Sequence, residues 1–154
     1  METKAGGKSS YTKLHHVGVV VKDIDKAMAY LESLGFGPFG VGEGHKKVTI
    51  PFKGELHGKP AEWKTTISNG NLGGVELELL EPTEGSQALK ESLDATGEGL
   101  HHLGFLTNDL EGVIAQQTKL GAKVWTRSRM AGKRNFVYFE GTALGKIAVE
   151  IRDI

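Results

Sequence analysis

One eight-residue segment occurs twice in the chain, at residues 14–21 and 100–107, and each copy begins with Leu-His-His. The segments are rich in valine, leucine and phenylalanine, which is typical of β-strands. Each is followed by an acidic turn and then by a helical pattern that ends at a glycine, Gly35 or Gly121. Four of the six histidines lie in the two segments. Because the repeat carries the chain's rare ligand-type side chains, it predicts one site built from two half-modules.

Each half of the chain is predicted to run β-α-β-β-β, so the fold class is α+β. The first half has predicted strands at 13–21, 45–52, 62–68 and 73–80 and a helix that ends at Leu34. The second half has predicted strands at 100–107, 123–126, 135–140 and 146–153 and a helix over 110–120. A hairpin turn is expected at Asn69-Gly70-Asn71, a break in the strands at 54–60 and a short helix at 86–93.

The predicted domain organisation has four parts. Residues 1–12 are a disordered lead, 13–84 the first βαβββ module, 85–99 a linker with a short helix, and 100–154 the second module.

Alternation along the repeated strands separates their two histidines. In the first copy His16 shares a face with Gly18, whereas His15 lies on the other face with three valines. The valine face is the better candidate to pack on a helix, which leaves His16 facing an enclosed space. His102 is the equivalent residue of the second copy.

A glutamate stands in the last strand of each half, Glu78 in the first and Glu150 in the second. Two imidazoles and two carboxylates on equivalent strands predict a divalent metal site with nitrogen and oxygen ligands. A single histidine on a strand is more often a structural hydrogen-bonding residue, and a single glutamate is more often a solvated one. Their recurrence in register favours the ligand role.

The composition excludes several classes of function. The chain has no cysteine, so disulfides, thiolate catalysis and cysteine-ligated zinc are excluded. With 19 basic and 19 acidic residues it has no electrostatic signature of binding to nucleic acid or to an acidic membrane. Its longest apolar run is too short for a membrane span. Residues 1–10 lack the apolar region of a secretion signal, so a cytoplasmic location is expected.

The pattern formed by residues 14–18, 75–79, 97–104 and 147–151 resembles the vicinal oxygen chelate superfamily. This superfamily includes glyoxalase I, methylmalonyl-CoA epimerase, extradiol dioxygenases, and fosfomycin- and bleomycin-resistance proteins. The resemblance extends over residues 13–153. It implies two βαβββ modules that form a curled mixed sheet around a metal cleft.

By position, the resemblance implies four ligands of one divalent ion (Zn, Ni, Co, Mn or Fe): His16, Glu78, His102 and Glu150. It places the first histidine of each pair on the opposite strand face, near the helix. Because superfamily members often form dimers, a homodimer is expected, with a small molecule as substrate.

The His/Glu/His/Glu set resembles bacterial glyoxalase I, whereas residues 79–82 and 97–104 are closer to the epimerase group. The predicted function is therefore a metal-dependent lyase or isomerase that stabilises an enolate or enediolate of a small oxygenated substrate. Glu150, Glu78 and Glu62 are the candidate catalytic carboxylates, although Glu62 also fits an exposed strand residue. Two alternatives stay open: a non-enzymatic binding or resistance protein on the same fold, and an extradiol-type dioxygenase, against which the fourth ligand argues.

Four further residues are predicted to contact the substrate. Arg129 and Arg134 belong to a basic loop that could grip a carboxylate or phosphate, or could simply be solvated. Trp63 and Tyr138 could wall an apolar pocket, although packing in the core is the better interpretation for each of them.

Overall fold

The computed structural model of the protein describes residues 13–132 and 134–154, so the predicted disordered lead at 1–12 lies outside the described part. In this part there are three helices: α1 (Ile24–Ser33), α2 (Ala88–Thr96) and α3 (Leu110–Lys119). The strands are β1 (Leu14–Val20), β2 (Phe39–Gly40), β3 (Val48–Leu56), β4 (Lys59–Asn71), β5 (Glu76–Glu84), β6 (Gly99–Thr107), β7 (Val124–Ser128), β8 (Phe136–Phe139) and β9 (Ala148–Asp153).

The strands form one mixed sheet that closes on itself. β1 pairs with parallel β5 on one side and with antiparallel β6 on the other. From β5 the sheet continues through β4 to β3, and from β6 it continues through β9 and β8 to β7. The pairing of β3 with β7 completes the ring, and β2 adds to one end of β4. This arrangement confirms the predicted α+β class with two βαβββ modules and a curled mixed sheet; the predicted domain boundaries stay a prediction.

The closing contact between β3 and β7 depends on a glycine. At Gly54 a Cβ atom would lie 2.0 Å from the carbonyl oxygen of Arg127 on the neighbouring strand, much closer than any real contact. The glycine that was expected to break this strand therefore lies inside it, and β3 continues to Leu56.

The predicted turn at Asn69-Gly70-Asn71 is wrong. These residues are the last of β4, and the turn lies beyond them, where the Leu72 amide donates to the Val75 carbonyl. The cause is long-range pairing: Asn69 is in register with Glu78 of β5 and with Gly40 of β2, and this pairing overrides the local turn preference. The short helix of the linker begins two residues later than predicted and ends at Thr96.

The helices α1 and α3 pack on the sheet face opposite to His16. In α1 the side chain of Asp23 accepts a hydrogen bond from the Lys26 amide and caps the helix, and Ile24 and Met28 pack with Val21. The valine face of β1 therefore packs against a helix, as predicted. Within the described residues, no helix has the length and apolar character needed to cross a membrane.

Candidate metal centre

Four side chains from four adjacent strands meet on the inner face of the ring. His16 of β1, Glu78 of β5, His102 of β6 and Glu150 of β9 each offer a ligand atom, and these atoms lie within 4.8 Å of one another. All four residues are buried, with exposed fractions from 0 to 3%. The four residues that the resemblance assigns as ligands are thus brought together within a single chain.

Strand register explains why the repeated motif places glycine two residues after the second histidine. Gly18 is paired with His102 on one side and with Glu78 on the other. Gly104 is likewise paired with His16 and Glu150. Each glycine therefore lies between one imidazole and one carboxylate of the site.

The imidazole rings occupy the space above these glycines. A Cβ atom on Gly18 would lie 2.1 Å from the ring of His102, and a Cβ atom on Gly104 would lie 2.0 Å from the ring of His16. No side chain larger than hydrogen fits at either position without displacing the ring. Each half of the chain thus supplies the glycine that makes room for the imidazole of the other half: Gly104 for His16, and Gly18 for His102.

The short distances within the cluster suit a bound cation. The Nε2 atom of His16 lies 3.0 Å from Oε2 of Glu150, and the Nε2 atom of His102 lies 2.8 Å from the same oxygen. Despite this distance, His102 Nε2 makes no hydrogen bond of acceptable geometry within the described residues. A buried imidazole nitrogen that is not satisfied by hydrogen bonding, beside two carboxylates, fits a divalent ion with nitrogen and oxygen ligands.

Arg152, which is not among the predicted site residues, lies beside the four residues of the cluster. Arg152 donates from Nε to Glu150 Oε1 at 2.8 Å and from Nη2 to Glu78 Oε1 at 3.1 Å. Its Nη2 atom is also 3.4 Å from Nε2 of His16. Alternation along β9 places residue 152 on the same face as Glu150, and that period of two is the sequence signal that could have identified it.

The charges of the cluster balance each other in the metal-free protein. Burial raises the pKa of the Glu78 carboxyl, but the charges of Arg152 and His102 outweigh it and lower the pKa to about 2. Burial lowers the pKa of His102, but the carboxylates of Glu150 and Glu78 outweigh it and raise the pKa to about 9. At neutral pH the two carboxylates are thus ionised and are compensated by one guanidinium and one imidazolium.

The first histidine of each pair contacts the second. Nδ1 of His15 lies 2.9 Å from Nδ1 of His16, and Nδ1 of His101 lies 2.9 Å from Nδ1 of His102. Burial lowers the pKa of His101 to about 3, so that its neutral ring can accept a hydrogen bond. When the second histidine donates this hydrogen bond from Nδ1, its neutral ring keeps the tautomer in which Nε2 has a free lone pair.

A cavity of about 220 Å³ opens beside the cluster, and Glu78 and Arg152 form part of its wall. Of the four predicted substrate-contacting residues, Trp63, Tyr138 and Arg134 line this cavity. Trp63 stacks on Phe52 with the ring centroids 5.6 Å apart. The wall of the cavity is therefore largely aromatic and aliphatic.

Two other predicted site residues lie elsewhere. The carboxylate of Glu62 is 71% exposed and forms an ion pair with Lys53. Arg129 donates from Nε to Glu55 Oε1 at 2.9 Å. Neither residue lines the cavity or contacts the four ligand residues, so the structure supplies no contact for the roles predicted for them.

Comparisons with known proteins agree with this architecture. The family model described as glyoxalase/bleomycin resistance protein/dioxygenase superfamily matches residues 15–139. Among curated proteins, the uncharacterised protein YqjC of Bacillus subtilis is 29% identical over 98 residues, which cover 64% of this chain and 59% of that protein. The match thus spans less than two thirds of the relative's length.

Solved structures with the same fold include several epimerases. The methylmalonyl-CoA epimerase of Mycobacterium tuberculosis aligns with a TM-score of 0.61 and 19% identity, over 97% of this chain and 93% of that one. A Streptomyces coelicolor methylmalonyl-CoA epimerase in complex with 2-nitronate-propionyl-CoA aligns with a TM-score of 0.61 and 23% identity, over 94% and 95%. The hypothetical protein BH1468 of Bacillus halodurans aligns with a TM-score of 0.62 and 20% identity, over 95% and 96%.

At these identities the structural matches support the fold alone, whereas the family match covers most of the chain. Together with the closed sheet of two βαβββ modules, it confirms the resemblance found in the sequence. The chain belongs to the glyoxalase/bleomycin resistance protein/dioxygenase superfamily.

Proposed function

We propose that the protein is a divalent-metal-dependent lyase or isomerase that stabilises an enolate or enediolate of a small oxygenated substrate. The observation that carries this proposal is the buried cluster of two imidazoles and two carboxylates, whose ligand atoms lie within 4.8 Å of one another. Four ligands from one chain leave open positions on a six-coordinate ion, where the oxygens of a substrate could bind.

His16, Glu78, His102 and Glu150 would hold the ion. Zinc, nickel, cobalt, manganese and iron all suit this donor set. When bound there, such an ion polarises substrate oxygens and stabilises negative charge that develops on them.

The carboxylates of the cluster are the candidates for proton transfer. Glu78 lines the cavity, whereas Glu150 is fully buried behind it. Because Glu78 forms part of the cavity wall, it is the carboxylate of the cluster that a substrate in the cavity can contact. We propose that Glu78, besides holding the ion, would take a proton from the carbon next to a substrate carbonyl, whose C–H electron pair passes into the enolate. Glu150 would serve as a ligand only.

Metal content and hydrogen exchange test this proposal together. Protein purified without chelator is analysed for bound metal and is then incubated in D2O with carbonyl substrates, including methylmalonyl-CoA and the hemithioacetal of methylglyoxal and glutathione. We expect about one equivalent of metal per chain and deuterium incorporation next to a carbonyl. Both are expected to be lost in the His16→Ala, His102→Ala double variant.

A His57→Ala variant is the matched control, because His57 is a half-exposed histidine bound to Glu91 and lies outside the cluster. If the double variant retains its full metal content, the metal site is refuted. If metal binds but ligands bind tightly without exchange or turnover, a binding or sequestration protein on the same fold becomes the better conclusion.

We also propose a homodimer, on the basis of the family resemblance, and a cytoplasmic location. Light scattering coupled to size-exclusion chromatography tests the first, and fractionation of cells tests the second.

A further inference from the structure

The charged groups around the cavity are unevenly distributed. Its wall contains one carboxylate, Glu78, and two guanidinium groups, those of Arg134 and Arg152. The remaining wall residues are neutral. Arg134 is exposed at the surface, whereas Arg152 lies against the ligand set.

Arg152 has donor capacity left over. Its Nε and Nη2 atoms bind Glu150 and Glu78. Its Nη1 amino group forms no hydrogen bond with any described residue. The side chain is 22% exposed, and it forms part of the cavity wall. A guanidinium has five N–H donors in a planar fork, so a second amino group remains for a ligand in the cavity.

Metal binding would leave this region positively charged, an argument that rests on the proposed function. Histidine ligands bind metal in their neutral form, and the two carboxylates cancel the charge of a divalent ion. The guanidinium of Arg152 is then left without a compensating charge in a buried environment. An unpaired buried charge is costly, so an anionic ligand in the cavity is favoured.

A second polar group near the cluster is also unsatisfied. Asn69, in the cavity wall, has a buried Oδ1 atom without a hydrogen-bond partner in the described part of the chain. By contrast, the amide of Gln87 is fully engaged with Lys64, Glu84 and Thr65. Asn69 can therefore bind a hydroxyl or other donor of a ligand, in addition to the anion on Arg152.

The size of the cavity limits what can enter. Its volume of about 220 Å³ is below the roughly 300–1,000 Å³ of pockets for drug-sized ligands. We propose that the cavity binds a small organic acid as its monoanion, with the carboxylate on the Nη1 side of Arg152 and a hydroxyl group at Asn69. Because Arg134 is exposed to solvent, the guanidinium of Arg152 is the one buried residual charge, which suits a monocarboxylate better than a dianionic phosphate.

Calorimetric titration of the full-length chain loaded with zinc tests this inference. The probes are lactate, 2-hydroxybutyrate and pyruvate, each paired with its neutral amide, and inorganic phosphate. We expect each carboxylate to bind at least about tenfold more tightly than its amide. Arg152→Gln should remove that preference, and Arg152→Lys should retain part of it.

Arg127→Gln is the matched control, because Arg127 is a largely buried arginine that is paired with Glu111 outside the cavity. It should keep the preference for carboxylates. Zinc content and thermal stability are measured for every variant, so that only loaded and folded protein is compared.

The outcomes separate the two proposals. If the wild-type chain takes up neither zinc nor nickel, cobalt, manganese or iron, the proposed function fails. If it takes up zinc but binds carboxylates no better than amides, binds phosphate alone, or binds none of the probes, the inference about Arg152 is overturned while the metal site stands. Retention of the carboxylate preference in Arg152→Gln overturns it as well.

Discussion

The substitution Gly104→Ala tests whether the glycine of the repeated motif makes room for a metal ligand. The new Cβ atom would lie 2.0 Å from Cε1 and 2.1 Å from Nε2 of His16. Since carbon atoms approach no closer than about 3.5 Å in ordinary contacts, the ring would have to retreat by about 1.5 Å. Metal–ligand distances tolerate changes of only about 0.2 Å, so His16 would cease to be a ligand.

The magnitude of the effect follows from the loss of one ligand in four. Loss of an outer hydrogen-bonding partner already weakens metal binding by roughly 10- to 100-fold. We therefore expect Gly104→Ala to weaken binding by at least about 100-fold, which is about 2.8 kcal/mol. Because His16 is fully buried, the clash should also destabilise the metal-free protein by about 1–3 kcal/mol.

Competition with a fluorescent chelator measures the affinity, and calorimetry in the presence of chelator measures the stability. Leu103→Ala is the control, because Leu103 precedes Gly104 on the opposite face of the same strand. It should lower stability by about 2 kcal/mol without changing metal affinity. If Gly104→Ala binds metal within twofold of wild type, or loses no more affinity than Leu103→Ala, the explanation of the motif is refuted.

Three other predictions follow from the surroundings of the ligands. His101→Phe should weaken metal binding by about 10- to 100-fold, measured by chelator competition, because His102 loses the partner that fixes its tautomer; unchanged affinity would contradict this role. Metal affinity should rise by about tenfold per pH unit up to about pH 9, where the raised pKa of His102 lies, since the ion displaces a proton from this imidazole; a pH-independent affinity would show that His102 is already neutral. Arg152→Gln should destabilise the metal-free protein by about 3 kcal/mol in thermal or urea unfolding, because Glu78 and Glu150 lose their shared cation. Saturating zinc should restore most of that loss, and a variant that is equally destabilised with and without zinc would count against the charge balance.

The repeat made the ligand set predictable from the sequence. Alternation places His16 and His102 on the inner face, and recurrence in register selects Glu78 and Glu150 among many acidic residues. Successive side chains of any strand point to opposite faces of the sheet. The four side chains cluster because each stands at a position that points to the inner face. Their role as ligands stays a prediction until metal is measured.

The features that escaped prediction depend on partners that are distant in the chain. Whether Asn69 belongs to a turn or to a strand is decided by pairing with β2 and β5, not by its neighbours in sequence. Arg152 stood on the correct face, but a charged residue near a strand end is usually exposed, and only the two carboxylates across the sheet explain its burial. Glu62 and Arg129 show the opposite case. Both were predicted to belong to the site, but they form ion pairs with Lys53 and Glu55 at the surface.

Because each imidazole on β1 or β6 lies above a glycine of the other strand, the site can form only when the two halves of the chain are paired. Neither half carries both an imidazole and the cleared position that this imidazole occupies, so a separately produced half would contain two potential ligands and no formed pocket for them. A bound ion would link β1, β5, β6 and β9, which are otherwise held to one another here by backbone pairing. Metal binding should therefore slow the hydrogen exchange of the backbone amides along β1 and β6, even when no substrate is present.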